Sequence, residues 1–573
     1  MNLAQGFSTV MQRLLLIDLF RPIFFLLVLV LSVLALFPLY WLFLYSISDA
    51  EGAFTLANFE ALVTNITLRR PFLVAVGMAM AVGLVSCLIA TPLAWLVSRT
   101  DLPGRRLVRA LVTASFVTPP FLGAIAWEIL AAPNSGLINV AYRYLSDAPM
   151  DSYLVNVYTF YGLVFAIACY TFPYVFTLVA NGLDRVPSDL EDASAILGAG
   201  NSTTLRRITI PLVLPAMLAG SLIAILQALT MFGSPAILAL PAGFHVITTK
   251  IWSLFQYPPK PGLAAAASLP LLLITVLLLQ GKSWMLGRKG FTVLGGKSGE
   301  AKLAKLGQWK VPALAFVLVV MSLTVLLPYA ALLKTALTKN VSEPLNWATL
   351  TLHNFNFVFF EFSATQLAMR NTFLLGFLTA SIGTVISLLT AYMVARNTVA
   401  GSKLLGFLAT APIAIPGIVL GVGLFLTYSH PELMLYGTLW ILLIAFLTIE
   451  MPAGYQQMSS AFHGIHAELE DASRILGASR LKTLRLITAP LLRTSVIATW
   501  CFIFIGTIRE LSAAILLTTA NTKLVSVIIY DLNESGDLGA ISVLGLTLLA
   551  VTFTVVFLAN RLPMLGGQRL PAS

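Results

Sequence analysis

Charged side chains are scarce in this sequence: Asp, Glu, Lys and Arg make up 10% of its 573 residues, against roughly a quarter in soluble globular proteins. So few charges could not cover the surfaces of several soluble domains, and that class is excluded. Cysteine is scarcer. Cys87, Cys169 and Cys501 each lie inside an apolar stretch, which leaves no disulfide framework or metal-ligand spacing and reads as packing by small hydrophobes. No His-rich, Ser/Lys or paired-Asp constellation occurs in the apolar stretches, so a membrane-embedded enzyme is not indicated. His463 and His466 are spaced i, i+3 but lack a third ligand nearby and read as a solvated helix face. Gly290 to Ser298 ends in Gly-Gly-Lys-Ser. Its first glycine is one residue out of register for a phosphate loop and no strand precedes it, so the chain is not expected to hydrolyse ATP.

What is abundant is apolar sequence in long blocks. Pro22 to Ile47, Pro71 to Ser98, Leu154 to Leu183, Leu404 to Ser429 and Leu538 to Asn560 contain no charge, and about 20 apolar residues suffice for a helix to cross a bilayer. Further blocks lie near Ala110 to Ala132, Ile208 to Ala239, Pro261 to Gly281, Val311 to Leu333, Asn371 to Ala395, Leu433 to Ile449 and Thr494 to Asn521. Together they predict an all-α integral membrane protein of about twelve spans. The first block, behind a basic flank, is too long for a signal-peptide core and is expected to be a retained span.

A net charge of +11 might suggest nucleic acid, but its placement points to topology. Arg13 and Arg21 precede the first block; Arg99, Arg105, Arg106 and Arg109 follow the second; Lys282 to Lys310 holds seven basic residues against one acidic. In alternate connections acids balance or outnumber bases, as Asp147 and Asp151 do Arg143. The positive-inside rule then places both termini of a multi-pass protein in the cytoplasm. No nucleic-acid partner is expected, only the lipid bilayer and protein subunits.

The chain repeats internally. Leu190 to Ala199, LEDASAILGA, recurs as Leu469 to Ala478, LEDASRILGA, with nine of ten residues identical. Thr204-Leu205-Arg206 matches Thr483-Leu484-Arg485, and Ile208, Thr209 and Pro211 match Ile487, Thr488 and Pro490. Asn58-Phe59 echoes Asn354-Phe355, and Arg99 and Gly104 echo Arg396 and Gly401. The division is therefore residues 1–284, a linker at 285–310, and residues 311–573. Each half carries six spans, an even number, so the repeats are parallel rather than inverted.

The strongest repeat lies in the connections near 184–210 and 459–489. Ser188 and Glu191 form an S-x-x-E capping box, and Leu190, Ala193, Ser194 and Leu197 make a narrow apolar stripe. Acids fill the first turn, and Gly198 and Gly477 stop the two short helices. These residues resemble the "EAA" loop of ABC-importer permeases, E-A-A-x3-G-x9-I-x-L-P. One copy reads Asp192-Ala193-Ser194, Gly198, Ile208 and Pro211; the other reads Asp471-Ala472-Ser473, Gly477, Ile487 and Pro490. Departures are Asp for Glu, Ser for the second Ala, and Ile210 or Ala489 for Leu.

The resemblance implies that Glu191, Asp192, Ala193, Ser194 and Gly198, with Glu470, Asp471, Ala472, Ser473 and Gly477, dock on a separate ATP-binding subunit. That subunit would be a homodimer serving both loops, and it would use ATP and Mg²⁺; this chain would carry no cofactor. Arg509-Glu510-Leu511-Ser512-Ala513-Ala514-Ile515-Leu516-Leu517, Phe232-Gly233-Ser234-Pro235-Ala236 and Thr118-Pro119-Pro120 resemble segments of the fused ferric-iron type of permease. That group is related to thiamine, 2-aminoethylphosphonate and polyamine permeases. A periplasmic substrate-binding protein would then deliver cargo to the outer loops.

Ionisable residues within spans are candidates for the pathway. Glu128 and the pair Arg509 and Glu510 are singled out, since carboxylates suit a hard cation; Arg509 and Glu510 could equally be a structural ion pair. Glu450 reads as lying near the end of its span, and Tyr170, Phe172, Pro173 and Tyr174 as packing and kink residues. A secondary transporter driven by an ion gradient would explain the repeat and the topology, but not a duplicated docking motif.

Overall fold

The computed structural model describes residues 20–49, 51–287 and 303–565. Among them every regular element is helical, with only isolated bridges in place of strands. Nine helices among the described residues are long and apolar enough to cross a membrane, and up to twelve if each of three sharply bent pairs counts as one span. About twelve spans in two repeats is therefore the architecture. The linker expected at 285–310 and the Gly290–Ser298 segment fall largely outside the described residues, as do Arg13 and both chain ends.

Several apolar blocks that read as straight spans are broken. Ala110 to Ala132 is two helices, Arg105–Val117 and Pro120–Ala131, bent by 100°. Leu404 to Ser429 is likewise Ser402–Ala414 and Gly417–Tyr428, bent by 106°. Pro119 and Pro416 stand at the two breaks, with Thr118 and Ile415 extended before them. Proline disfavours the helical conformation in the residue it follows and has no N–H to continue the ladder. Blocks five and eleven break as well: helix Ile210–Thr230 stops before short helix Gly233–Leu238, and Arg493–Ile508 stops before Ala514–Leu517. Hydropathy gave no warning, because the broken segments stay apolar. Glu450 is also relocated. Its helix runs Leu439–Phe462, so this carboxylate sits at mid-helix instead of near the end.

Packing divides the chain differently from the sequence repeat. One compact unit comprises residues 46–363 and 529–549; the other comprises 1–45, 364–528 and 550–573. The first apolar helix of each sequence half is thus packed in the unit built around the other half. In the unit holding residues 364–528, Phe20, Phe24, Leu27 and Leu31 share a core with Tyr392, Leu405, Met451 and Phe462. The Phe20 and Tyr392 rings lie 5.4 Å apart, and Thr448 Oγ1 donates to Leu34 O at 3.3 Å. In the unit holding residues 46–363, Val317, Val320 and Met321 pack with Val97, Phe172 and Val179, and the Thr118 and Tyr329 hydroxyls are hydrogen-bonded at 2.6 Å. Tyr170 and Phe172 are buried, and Tyr174 stands edge-on against Phe116, which is packing as expected.

This exchange is testable on a divided chain. Residues 1–295 and 296–573 would be expressed as two pieces, with the native cysteines replaced by serine and new ones at Leu34→Cys and Thr448→Cys. A short bis-maleimide should join the pieces on a denaturing gel. Pieces that insert but do not cross-link would contradict the exchange.

Candidate docking loops and interior charge clusters

Each repeated connection folds into a short helix, a glycine turn and a second helix that leads into the next span. In the first copy these are Ser188–Ile196, Gly198, and Asn201–Thr204 running through a π-turn at Leu205–Thr209. In the second they are Glu468–Ile475, Gly477, and Arg480–Thr483 running through Leu484–Thr488. Gly198 and Gly477 have φ of +82° and +85°, a left-handed conformation that glycine adopts without steric cost. The capping box at Ser188 involves a side chain outside the described residues. Ala467, the corresponding cap of the second helix, makes no side-chain cap bond.

The acidic residues of the motif part company. Glu191 and Glu470 turn inward onto their own chain. Glu470 is buried and accepts from Arg396 Nε at 3.1 Å and from Thr488 Oγ1 at 3.1 Å. Glu191 accepts from Thr209 Oγ1 at 2.9 Å and lies 3.6 Å from Arg99 Nη1. Arg396 also donates to Ile465 O at 3.1 Å; the buried Arg99 donates to Val186 O at 2.6 Å and to Leu183 O. Behind them Ser194 and Thr204 are hydrogen-bonded at 2.8 Å, and Ser473 and Thr483 at 3.1 Å. The copies are not equally tight. Arg99 Nε has no hydrogen-bond partner among the described residues, whereas Arg396 Nε is bonded directly to its carboxylate.

Other motif residues stay at the surface. Asp471, Ala193 and Ala472 are exposed and Asp192 is half-buried. The expected stripe does not act as one face, since Ser194 is buried while Leu197 is exposed. Of the most exposed apolar residues of the loops, sequence reasoning named only Leu197, as part of a stripe, and missed Ile196, Ile475 and Leu476. Ile196 and Leu197 are 85% and 87% exposed, and Ile475 and Leu476 are 85% and 88% exposed. Each pair sits just before its glycine turn. The signal that could have found them is an Ile-Leu-Gly tripeptide kept in both copies beside a position that changes from Ala195 to Arg474.

Two further clusters of ionisable groups lie along the broken spans, one in each unit. Glu128, near the end of helix Pro120–Ala131, accepts from the Tyr158 hydroxyl at 2.8 Å and from Asn533 Nδ2 at 2.7 Å. Burial first, and the Glu128 charge second, push the Tyr158 phenol up from its ordinary range, so it stays a donor. In the other unit Arg509 and Glu510 sit in the break between helices instead of within a span. Glu510 accepts from Ala513 N at 3.0 Å and Ala514 N at 3.1 Å, satisfying the start of the short helix Ala514–Leu517. Glu450 belongs to the same region. A β-carbon on Gly506 would overlap its carboxyl group, so glycine there makes room for that side chain. His463 and His466 are exposed, and no group of three or more His, Cys, Asp or Glu residues able to hold a metal occurs among the described residues.

The sequence pattern of binding-protein-dependent transport system inner membrane components matches twice, over residues 90–285 and 383–563. A ferric transport system permease protein FbpB of Actinobacillus pleuropneumoniae is 26% identical over 80% of this chain and 65% of its own length. This chain therefore spans just under two-thirds of that relative. A probable ABC transporter permease y4fN of Sinorhizobium fredii is 24% identical over 81% of this chain and 82% of the relative. A molybdenum transport system permease ModB of Mycobacterium tuberculosis is 28% identical over 39% of this chain and 82% of the relative. The double match covers well over half of the sequence, and on it this chain belongs to the family of binding-protein-dependent transport system inner membrane components.

Proposed function

We propose that this chain is the membrane-spanning subunit of an ATP-driven importer for ferric iron delivered by a periplasmic binding protein. The observation that carries the reading is the pair of matching short helices, each tied to its own chain by an inward-turned carboxylate and each presenting a bare Ile-Leu tip. An apolar tip on a rigid base suits a pocket on a partner, where a few buried anchors supply most of the binding energy. Two equivalent tips suit a homodimeric ATP-binding subunit, which would carry the ATP and Mg²⁺ chemistry in the cytoplasm, on the same side as both termini. ATP-driven closure of that dimer would shift both helices, and the spans would alternate between inward-open and outward-open. Such coupling needs the partner to bind the two states with different free energy.

Iron as cargo is supported by the name of the ferric relatives and by the interior carboxylates, which are hard oxygen ligands suited to a hard cation. Glu128 and the Arg509–Glu510 pair, with Glu450 beside it, are the proposed contacts along the pathway. Permeases for 2-aminoethylphosphonate, thiamine and polyamines share the architecture and are the alternative cargoes.

Two measurements test the reading. Leu197→Lys with Leu476→Lys should cut the ATPase activity that co-purifies with the tagged chain from native membranes by roughly ten-fold or more, the loss expected when hot-spot anchors are removed. Co-purification at the wild-type level would remove the tips from the docking surface. Radiolabelled ferric iron uptake in deletion cells should be restored by the wild-type gene and reduced about ten-fold by Glu128→Gln, as for loss of one charge-assisted contact. No iron uptake from wild type, with the ATPase still bound, would send the cargo search to phosphonates, thiamine and polyamines. Uptake driven by an ion gradient without any ATPase would favour a secondary transporter.

A further inference from the structure

The inward-facing carboxylates do more than hold a loop in shape. We propose that Glu191 with Arg99 and Thr209, and Glu470 with Arg396 and Thr488, are transmission latches that convert movement of the docking helices into movement of the spans. The inference rests on the reading that these helices dock on the ATP-binding subunit.

Its basis is what each carboxylate joins. Arg99 is the last residue of the long helix Ile66–Arg99, and Arg396 directly follows helix Ser363–Ala395. Thr209 and Thr488 close the π-turns that lead into the following span. The arginines also reach back to carbonyls at the end of the preceding span, at Leu183 and Val186 in one copy and at Ile465 in the other. One carboxylate on a helix of nine or eight residues is thereby tied to the span before it, the span after it and a third span that precedes both in the chain.

A free-standing connector of that length would tilt under load without moving its neighbours. A connector locked at its buried face must carry them along. The bonds are suited to this, because a hydrogen bond to a carboxylate is roughly twice as strong as a neutral one. Thr209 and Thr488 are buried, so water cannot replace the hydroxyl easily. In the first copy the latch has a further attachment. Ala304 N donates to Arg99 O at 2.9 Å, and Leu306 N donates to Asp101 Oδ1 at 2.9 Å. The chain entering the second half therefore grips the same helix end.

The test uses the full complex with its ATP-binding subunit, purified through a tag on this chain. Hydrogen–deuterium exchange is compared between nucleotide-free and vanadate-trapped states. In wild type the response should appear in the docking helices and also at the helix breaks near 229–232 and 508–513. In the Thr209→Val, Thr488→Val double variant the response of the docking helices should persist, while that at the breaks falls by about ten-fold, the scale of one lost charge-assisted hydrogen bond. Thr209→Ser with Thr488→Ser keeps the hydroxyls and should behave as wild type. The latch is overturned if the valine variant keeps the full response at the breaks, if wild type responds only in the docking helices, or if serine behaves like valine. A wild-type chain that purifies without ATPase activity overturns the docking reading itself, and the latch with it.

Discussion

A backbone N–H or C=O that leaves a helix inside hydrocarbon can bond only to protein, and the irregular parts of this molecule are shaped by that requirement. At two of the breaks, side chains of the same unit bond to the freed backbone. Where block five breaks, Ser234 Oγ donates to Pro120 O at 2.9 Å and Thr248 Oγ1 to Met231 O at 2.8 Å. Where block eleven breaks, Glu510 accepts from two amides while Ser526 Oγ donates to Glu510 O at 2.7 Å. Beyond that break Asn371 Nδ2 donates to Asn521 O and Lys523 O, at 3.3 and 3.1 Å. The breaks are possible because these polar side chains are present, and they fix where non-helical backbone can line an interior.

The same economy operates at the repeated connections. Leu183, Val186 and Ile465 leave carbonyls at the ends of spans, and Arg99 and Arg396 donate to them. An arginine brought there in low dielectric needs a counter-charge, and the first acid of each motif supplies it. The docking helix is therefore positioned by the electrostatic needs of the span ends beneath it. The Ile-Leu tips, by contrast, stay exposed.

Much of this was legible in the sequence. Apolar block length gave the span count, because it measures what a bilayer requires. The offset repeat gave two halves, and the motif spacing gave the two connections. The bends at Pro119 and Pro416 were written in the proline positions, but hydropathy does not record direction, so both blocks read as straight. The exchange of first helices was not legible, since a lipid-facing helix carries nearly the same apolar surface whichever bundle it joins. Nor could charge alone separate Glu191 from Asp192 or Glu470 from Asp471. Neighbours on a helix point about 100° apart, and only the position of Arg99 or Arg396 decides which one turns inward. The duplicated Arg and Thr positions were visible as matches between the halves, and their meaning appeared only when the fold brought each pair to a carboxylate.

Comparing the two copies separates mechanics from chemistry. The latch residues Arg99, Glu191, Ser194, Thr204 and Thr209 recur as Arg396, Glu470, Ser473, Thr483 and Thr488. The interior charges do not recur. On the offset set by the docking loops, Glu450, Arg509 and Glu510 correspond to Thr171, Thr230 and Met231, and Gly506, which makes room for Glu450, corresponds to Gln227. On the spacing set by Pro119 and Pro416, Glu128 corresponds to Phe425. A buried charge is costly unless it is paired or hydrogen-bonded, so one arising in only one copy must bring its own partners. Glu128 has Tyr158 and Asn533, while Glu510 has the amides of Ala513 and Ala514. The side chains that hold the two short helices have stayed alike, and the carboxylates within and beside the spans have diverged.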